Sequence, residues 1–213
     1  MLTLFYYYPA CSIVSHIALE ESGLQYESKL SRPHVPEELA ALLQINPKGT
    51  VPAAVIDDVA ITENIAILSF IDREAPGAKL FPTESVARAR TESFLAWAAS
   101  TVHINFRQSG WPLWFTDDAS AHAGLRSKGL EKFWGHLQAM DRMLARNPWV
   151  MGDQFTVADC YALLFYGWGK MSKLPVGELN SYTAHQDRMI LRPAVQTVLA
   201  RERASLQASA AAG

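Results

Sequence analysis

The spacing of apolar positions changes once along this chain. In the first eighty residues, short apolar runs alternate with helical spacings. Leu2–Tyr6 is apolar and β-prone, and Pro9 closes it off. Ile13, Ile17, Ala18 and Leu24 then recur as one face of a helix, with Ser12 as its cap and Gly23 as its stop. Tyr26–Leu30 reads as a second strand. A helix from Pro36 through Leu43 carries Glu37 and Glu38 in its first turn, where the helix dipole favours acids. After the turn Asn46-Pro47-Lys48-Gly49, the strands Ala53–Ile56 and Val59–Thr62 meet at Asp57-Asp58, and a helix runs over Glu63–Arg73. The order is β-α-β-α-β-β-α: a parallel crossover first, then a hairpin. Beyond residue 83 only helical spacing remains, over Glu84–Ser109, Ala119–Arg146, Val157–Met171, Leu179–Met189 and Pro193–Leu206. The alanine-rich tail Gln207–Gly213 is expected to fray.

The change falls at Ala75-Pro76-Gly77-Ala78-Lys79-Leu80-Phe81-Pro82, a segment rich in turn-formers. Charge changes there too. Residues 1–82 hold five Lys/Arg against ten Asp/Glu, and residues 83–213 hold fourteen against eleven. We expect two domains: a mixed α/β domain over 1–80 and an all-helical one over 84–213. The overall charge of −2 lacks the basic excess of a nucleic-acid binder. No apolar run reaches the ~18 residues of a membrane span, and no charged n-region of a secretory signal is present. Cys11 and Cys160 are too few for a disulfide framework and form no metal motif, so no metal is expected. A cytoplasmic protein of a reducing compartment fits these features.

Candidate chemistry concentrates in the first domain. Cys11 precedes a helix, where the dipole and unsatisfied N–H groups favour a thiolate; a small, inert, buried cysteine fits the position equally well. Tyr6 and Ser12 are near enough in sequence to donate to its sulfur, or to serve as a core residue and a cap. Val51-Pro52 precedes an apolar strand. A cis bond there would turn the Val51 main chain outward to pair with an extended peptide, and a trans bond would make it an ordinary strand start. Thr62-Glu63-Asn64 opens a helix whose N–H groups suit a carboxylate, with Thr62 able to cap it. Thr156 and Asp159, in Phe155-Thr156-Val157-Ala158-Asp159, form a capping-box pattern that is structural, and Cys160 behind them reads as core.

Tyr6…Pro9-Ala10-Cys11-Ser12, Asn46-Pro47-Lys48-Gly49-Thr50-Val51-Pro52, Thr62-Glu63-Asn64-Ile65-Ala66-Ile67 and Phe155–Asp159, in that order and spacing, resemble the cytosolic glutathione transferases. The cysteine makes the chain similar to their bacterial beta class. The resemblance implies a thioredoxin-like N-terminal domain, an all-α C-terminal domain, and a homodimer with a site at each subunit interface. It implies Cys11 as the active-site thiol, able to form a mixed disulfide with glutathione, with Tyr6 and Ser12 lining the sulfur site. Val51 would pair with the cysteinyl main chain, Pro52 would be cis, and Glu63 and Asn64 would meet the γ-glutamyl end. His103, with Ser100 in the preceding turn, matches the histidine that the beta class directs toward the thiol and glutathione. Phe106, Arg107, Trp111 and Trp114 would border an electrophile pocket suited to planar, apolar molecules. Asn64 stands where the family has Ser or Gly, and Ala96 where the beta class often has Asn. Arg32, His34 and Lys48 are all candidates for the glycyl carboxylate.

The expected activity is conjugation of the glutathione thiolate, as cosubstrate, to small electrophiles, a detoxification chemistry. Two alternatives remain: a glutathione-dependent disulfide reductase or dehalogenase using Cys11 covalently, and a non-catalytic ligand-binding member of the fold.

Overall fold

The structure, a computed structural model, describes residues 1–211. In chain order it comprises β1 (Leu2–Tyr6), α1 (Ile13–Ser22), β2 (Tyr26–Leu30), α2 (Pro36–Ile45), β3 (Ala53–Ile56), β4 (Val59–Thr62), α3 (Asn64–Glu74), α4 (Ser85–Trp97), α5 (His103–Gly110), α6 (His122–Leu144), α7 (Val157–Met171), α8 (Asn180–Ile190) and α9 (Pro193–Ala211). Two compact units result: Met1–Phe81 with the described residues from Ile190 onward, and Pro82–Met189. The first unit is mixed α/β and the second is helical, as the resemblance implies.

The first unit is a four-stranded sheet of order β2-β1-β3-β4. β1 and β2 are parallel, with Leu2 opposite Tyr26 and Tyr6 opposite Leu30, while β3 runs antiparallel to β1 and β4. α1 serves as the crossover, and its residues Ile13–Leu19 are buried in an unbroken run. The Asp57-Asp58 turn takes positive φ at both residues (45° and 69°), as a two-residue hairpin with right-handed strand twist requires.

α9 belongs to this unit by contact, whereas the sequence division at residue 84 puts it with the helical half. Its docking on α1 is polar at the centre. His16 Nδ1 lies 2.7 Å from Glu202 Oε1, with both side chains fully buried, and burial pushes the Glu202 carboxyl up. Arg192 Nε pairs with Glu21 at 2.6 Å and Arg201 with Glu20 at 3.0 Å. α9 continues to Ala211, beyond the expected end at Leu206, since alanine is the strongest helix former. The rest of that tail lies outside the described residues.

In the second unit the nearly wholly buried α7 is the central element. α6 lies so close to α5 that a Cβ at Gly129 would meet Asn105 O, Gln108 Cβ and Ser109 N at 2.8 Å each. The single helix expected over Glu84–Ser109 is two helices. Glu84 stays outside as a cap, accepting from Val86 N at 2.9 Å and Ala87 N at 2.7 Å. Ala98–Val102 then forms a π-helical turn between α4 and α5. Ser100 Oγ donates back to Ala96 O at 2.7 Å, a local bond that competes with the regular ladder.

Candidate active site

The loop from Tyr7 to Ser12 holds Cys11 ahead of α1, partly exposed. Its Sγ donates to the Val51 carbonyl oxygen at 3.5 Å. Val51 is presented by a loop that Asn46 organises. Fully buried, Asn46 donates from Nδ2 to Thr50 O at 2.7 Å and accepts from Lys48 N at 3.1 Å. Gly49 has φ +62° there, and a Cβ on it would meet Leu39 Cδ1 at 3.0 Å. The Val51–Pro52 peptide is cis, and so is Tyr8–Pro9, which sequence reading did not single out. The role of Asn46 was also missed. An Asn two residues before a backbone N–H that its side chain can reach is the signal for it.

α3 closes the third side of the cradle. Asn64, its first residue, is buried, and its Nδ2 donates to the Cys11 carbonyl at 3.0 Å. Thr62 was expected to cap this helix. Instead it ends β4, and Glu63 occupies the cap position at φ 72°, ψ 128°, a region sparsely populated by non-glycine residues. The Glu63 side chain is 70% exposed and paired with Lys48 Nζ, which also donates to Thr62 Oγ1 at 3.0 Å.

Two expected sulfur-site residues are committed elsewhere. Ser12 is fully buried and makes no side-chain cap. Its Oγ accepts from Tyr7 N and donates to Tyr7 O, both at 3.1 Å, pinning the loop to itself. Tyr6 alternates inward with Leu2 and Leu4. Its ring sits 4.8 Å from that of His16, and burial raises its hydroxyl while a bond to Ser205 of α9 opposes the shift. Of the three cationic candidates, Arg32 is fixed by Glu38, with Nε to Oε1 at 2.8 Å, and holds that carboxyl below its usual range. Lys48 pairs with Glu63, and the His34 ring lies 5.3 Å from that of Tyr7.

The helical unit gathers the aromatic candidates. Phe106 stacks on Trp168 at 4.0 Å and 11°, and Trp111 meets its edge at 5.8 Å. Arg107 lies over the exposed Trp114 ring at 4.1 Å, a cation–π contact. The His103 ring packs 4.9 Å from Trp168. The Ser100 hydroxyl, expected to face a ligand, is turned back on the π turn as described. Among the described residues no helix is long and apolar enough to cross a membrane, and no three His, Cys, Asp or Glu side chains are grouped to hold a metal ion.

Comparison with known proteins gives a consistent picture. The family described as glutathione S-transferase, N-terminal domain, matches residues 10–74. Glutathione S-transferase GstA of Escherichia coli O157:H7 is 32% identical over 206 residues, covering 94% of this chain and 98% of the relative. The crystal structure of a glutathione transferase homologue from Sulfitobacter, with bound glutathione, has a TM-score of 0.88 at 27% identity, covering 94% of this chain and 98% of that one. A bacterial beta-class glutathione S-transferase from Sphingomonas chungbukensis has a TM-score of 0.81 at 28% identity, with the same coverage of each chain.

Proposed function

Because the chain belongs to the glutathione S-transferase family, we propose that it binds glutathione at the Cys11 cradle and transfers its sulfur to small electrophiles. The observation that carries this reading is the Cys11 thiol 3.5 Å from the carbonyl of Val51, at the start of α1. A peptide-like ligand laid along Val51 takes up main-chain hydrogen bonds as an added strand does, which brings its own sulfur to the same place. Glu63 and the first N–H groups of α3 suit the charged γ-glutamyl end. In the reaction, the glutathione thiolate forms a C–S bond while the leaving group departs with its electron pair, and the thiol proton passes to solvent. The rate gain comes from stabilising the thiolate and holding two reactants together. The aromatic cluster of Phe106, Trp111 and Trp114, with Arg107, suits a planar electrophile carrying polar substituents. His103 is assigned thiol assistance on the family resemblance. We place the activity in the cytoplasm, where glutathione is kept reduced.

The test is paired: calorimetry with glutathione, and turnover of a chloro-nitroaromatic. Binding with chloride release is expected. Binding without turnover would favour the second reading, a thiol–disulfide reductase, which the partly exposed Cys11 thiol supports. Absence of both would remove the glutathione reading.

We also propose a homodimer, on the opposed charge of residues 1–82 and 83–213 and on the family resemblance. Light scattering at micromolar concentration is expected to give twice the 23.6 kDa chain mass. A stable monomer would refute it.

A further inference from the structure

Asn64 is one of the two positions at which this chain departs from the pattern it resembles, and its side chain is turned inward. The Cys11 carbonyl has no hydrogen to give, so the Asn64 NH2 must face it, at 3.0 Å. The amide oxygen then faces the fully buried Ser15, whose Oγ donates to it at 2.6 Å. The same Cys11 carbonyl accepts the Val14 N–H of the first turn of α1 at 3.2 Å. Cys11 is therefore tied at its backbone by α1 and α3, and at its sulfur by Val51.

We propose that Asn64 is a positioning residue for the Cys11 thiol, acting through the chain Ser15–Asn64–Cys11 carbonyl. Two consequences follow from the geometry. The donated N–H offsets the negative end of the carbonyl dipole on the residue that bears the sulfur. It also fixes the Cys11–Ser12 peptide plane, and so the direction in which the first N–H groups of α1 point. Both effects favour a thiolate at Cys11. The side chain is also withdrawn from ligand contact, so any anion at the start of α3 meets backbone N–H groups and not the amide. This inference rests on Cys11 being the reactive thiol, but not on what that thiol reacts with.

The test is the pH profile of Cys11 alkylation by iodoacetamide, read by peptide mass spectrometry, with the fully buried Cys160 as an internal report of folding. Glutathione is absent, so failure of the transferase reading leaves this result standing. In Asn64→Asp, a carboxylate of the same shape faces the Cys11 carbonyl. The midpoint is expected to rise by about one unit or more, the usual effect of a nearby like charge. Asn64→Ser is too short to reach the carbonyl, and is expected to raise the midpoint by a smaller amount. The other titratable groups, Tyr7, Tyr8, Arg32, His34, Glu38, Lys48, Glu63 and His103, are the same in each protein. Ser15→Ala is expected to shift the midpoint on its own and to add nothing in the Asn64→Ser background, as befits one chain of contacts. If Asn64→Asp exposes Cys160, Asn64→Ser decides the matter. A Cys11 midpoint unchanged from the native protein with Cys160 protected, in whichever of the two variants folds, would overturn the proposal. So would equal and additive effects of Ser15→Ala and Asn64→Ser.

Discussion

Oxidised glutathione is expected to add one glutathionyl unit per chain, at Cys11, and Cys11→Ala to abolish the adduct. The Cys11 thiolate attacks one sulfur of the disulfide, a new S–S bond forms to the protein, and one glutathione leaves as its thiolate. No outside oxidant is needed. Cys160 has 0% exposure within α7 and is expected to stay unmodified. Disulfide reductase activity in Cys11→Ala is expected to fall to background, since that cycle needs the protein sulfur. Transfer to an aromatic electrophile behaves differently, because glutathione brings its own nucleophile. Had Tyr6 and Ser12 faced the sulfur, they would sustain most of that rate. Neither is available: Tyr6 is buried beside His16, and Ser12 is bonded to the Tyr7 backbone. Transfer in Cys11→Ala is therefore expected to drop by roughly tenfold, about 1.4 kcal/mol of barrier, and not to vanish. Peptide mass spectrometry and the two assays on one preparation check this. An adduct on Cys160, or none, would end the covalent role. Equal loss of both activities would mean that Cys11 serves both chemistries or holds the site together.

The strands were legible because the signals that define them are local. β1 to β4 fall where alternation and turn residues put them, and the Asp57-Asp58 turn needed only its neighbours. Helix ends were less so. Thr62 looks like a cap, but the sheet register claims it opposite Ala53, which leaves Glu63 to open α3. At the site, sequence order identified which segments meet and misjudged which way side chains turn. Tyr6 is a strand residue, and period-two alternation with the buried Leu2 and Leu4 carries it inward. Ser12 is one residue from the thiol, yet its hydroxyl is consumed by a loop whose backbone has no ladder partner. The resemblance implies that Asn64 meets a ligand, and its side-chain amide donates to the Cys11 carbonyl. Contacts such as Ser15 with Asn64, 49 residues apart, leave no periodic trace in a single sequence.

Asp159→Ala is expected to destabilise the protein more than any other substitution considered above. Capping alone suggests a loss of about 0.5–2 kcal/mol. The box is present: Asp159 Oδ2 accepts from Thr156 N at 2.8 Å, and the Thr156 side chain accepts from the start of α7. The carboxylate does more than close it. Oδ1 accepts from Val150 N at 2.9 Å and from His185 Nε2 of α8 at 2.9 Å, and both side chains of the Asp159–His185 pair have 0% exposure. One carboxylate thus joins the start of α7, the loop before it and α8. Alanine would strand three buried donors, each costing about 1–3 kcal/mol. His185 is poorly placed to compensate, because its Nδ1 already has no hydrogen-bond partner among the described residues. The expected loss is about 3–5 kcal/mol, the range for breaking a buried pair from one side. For a chain of this length that is a fall in melting temperature on the order of 10 °C. Asp159→Asn keeps one acceptor and the shape of the site, and is expected to lose less. Cys11 lies in the other compact unit, so its glutathionyl adduct is expected to persist in the fraction that stays folded. Thermal unfolding alongside the adduct assay separates the two roles. An unchanged melting temperature with a lost adduct would place Asp159 in the chemistry and not in the scaffold.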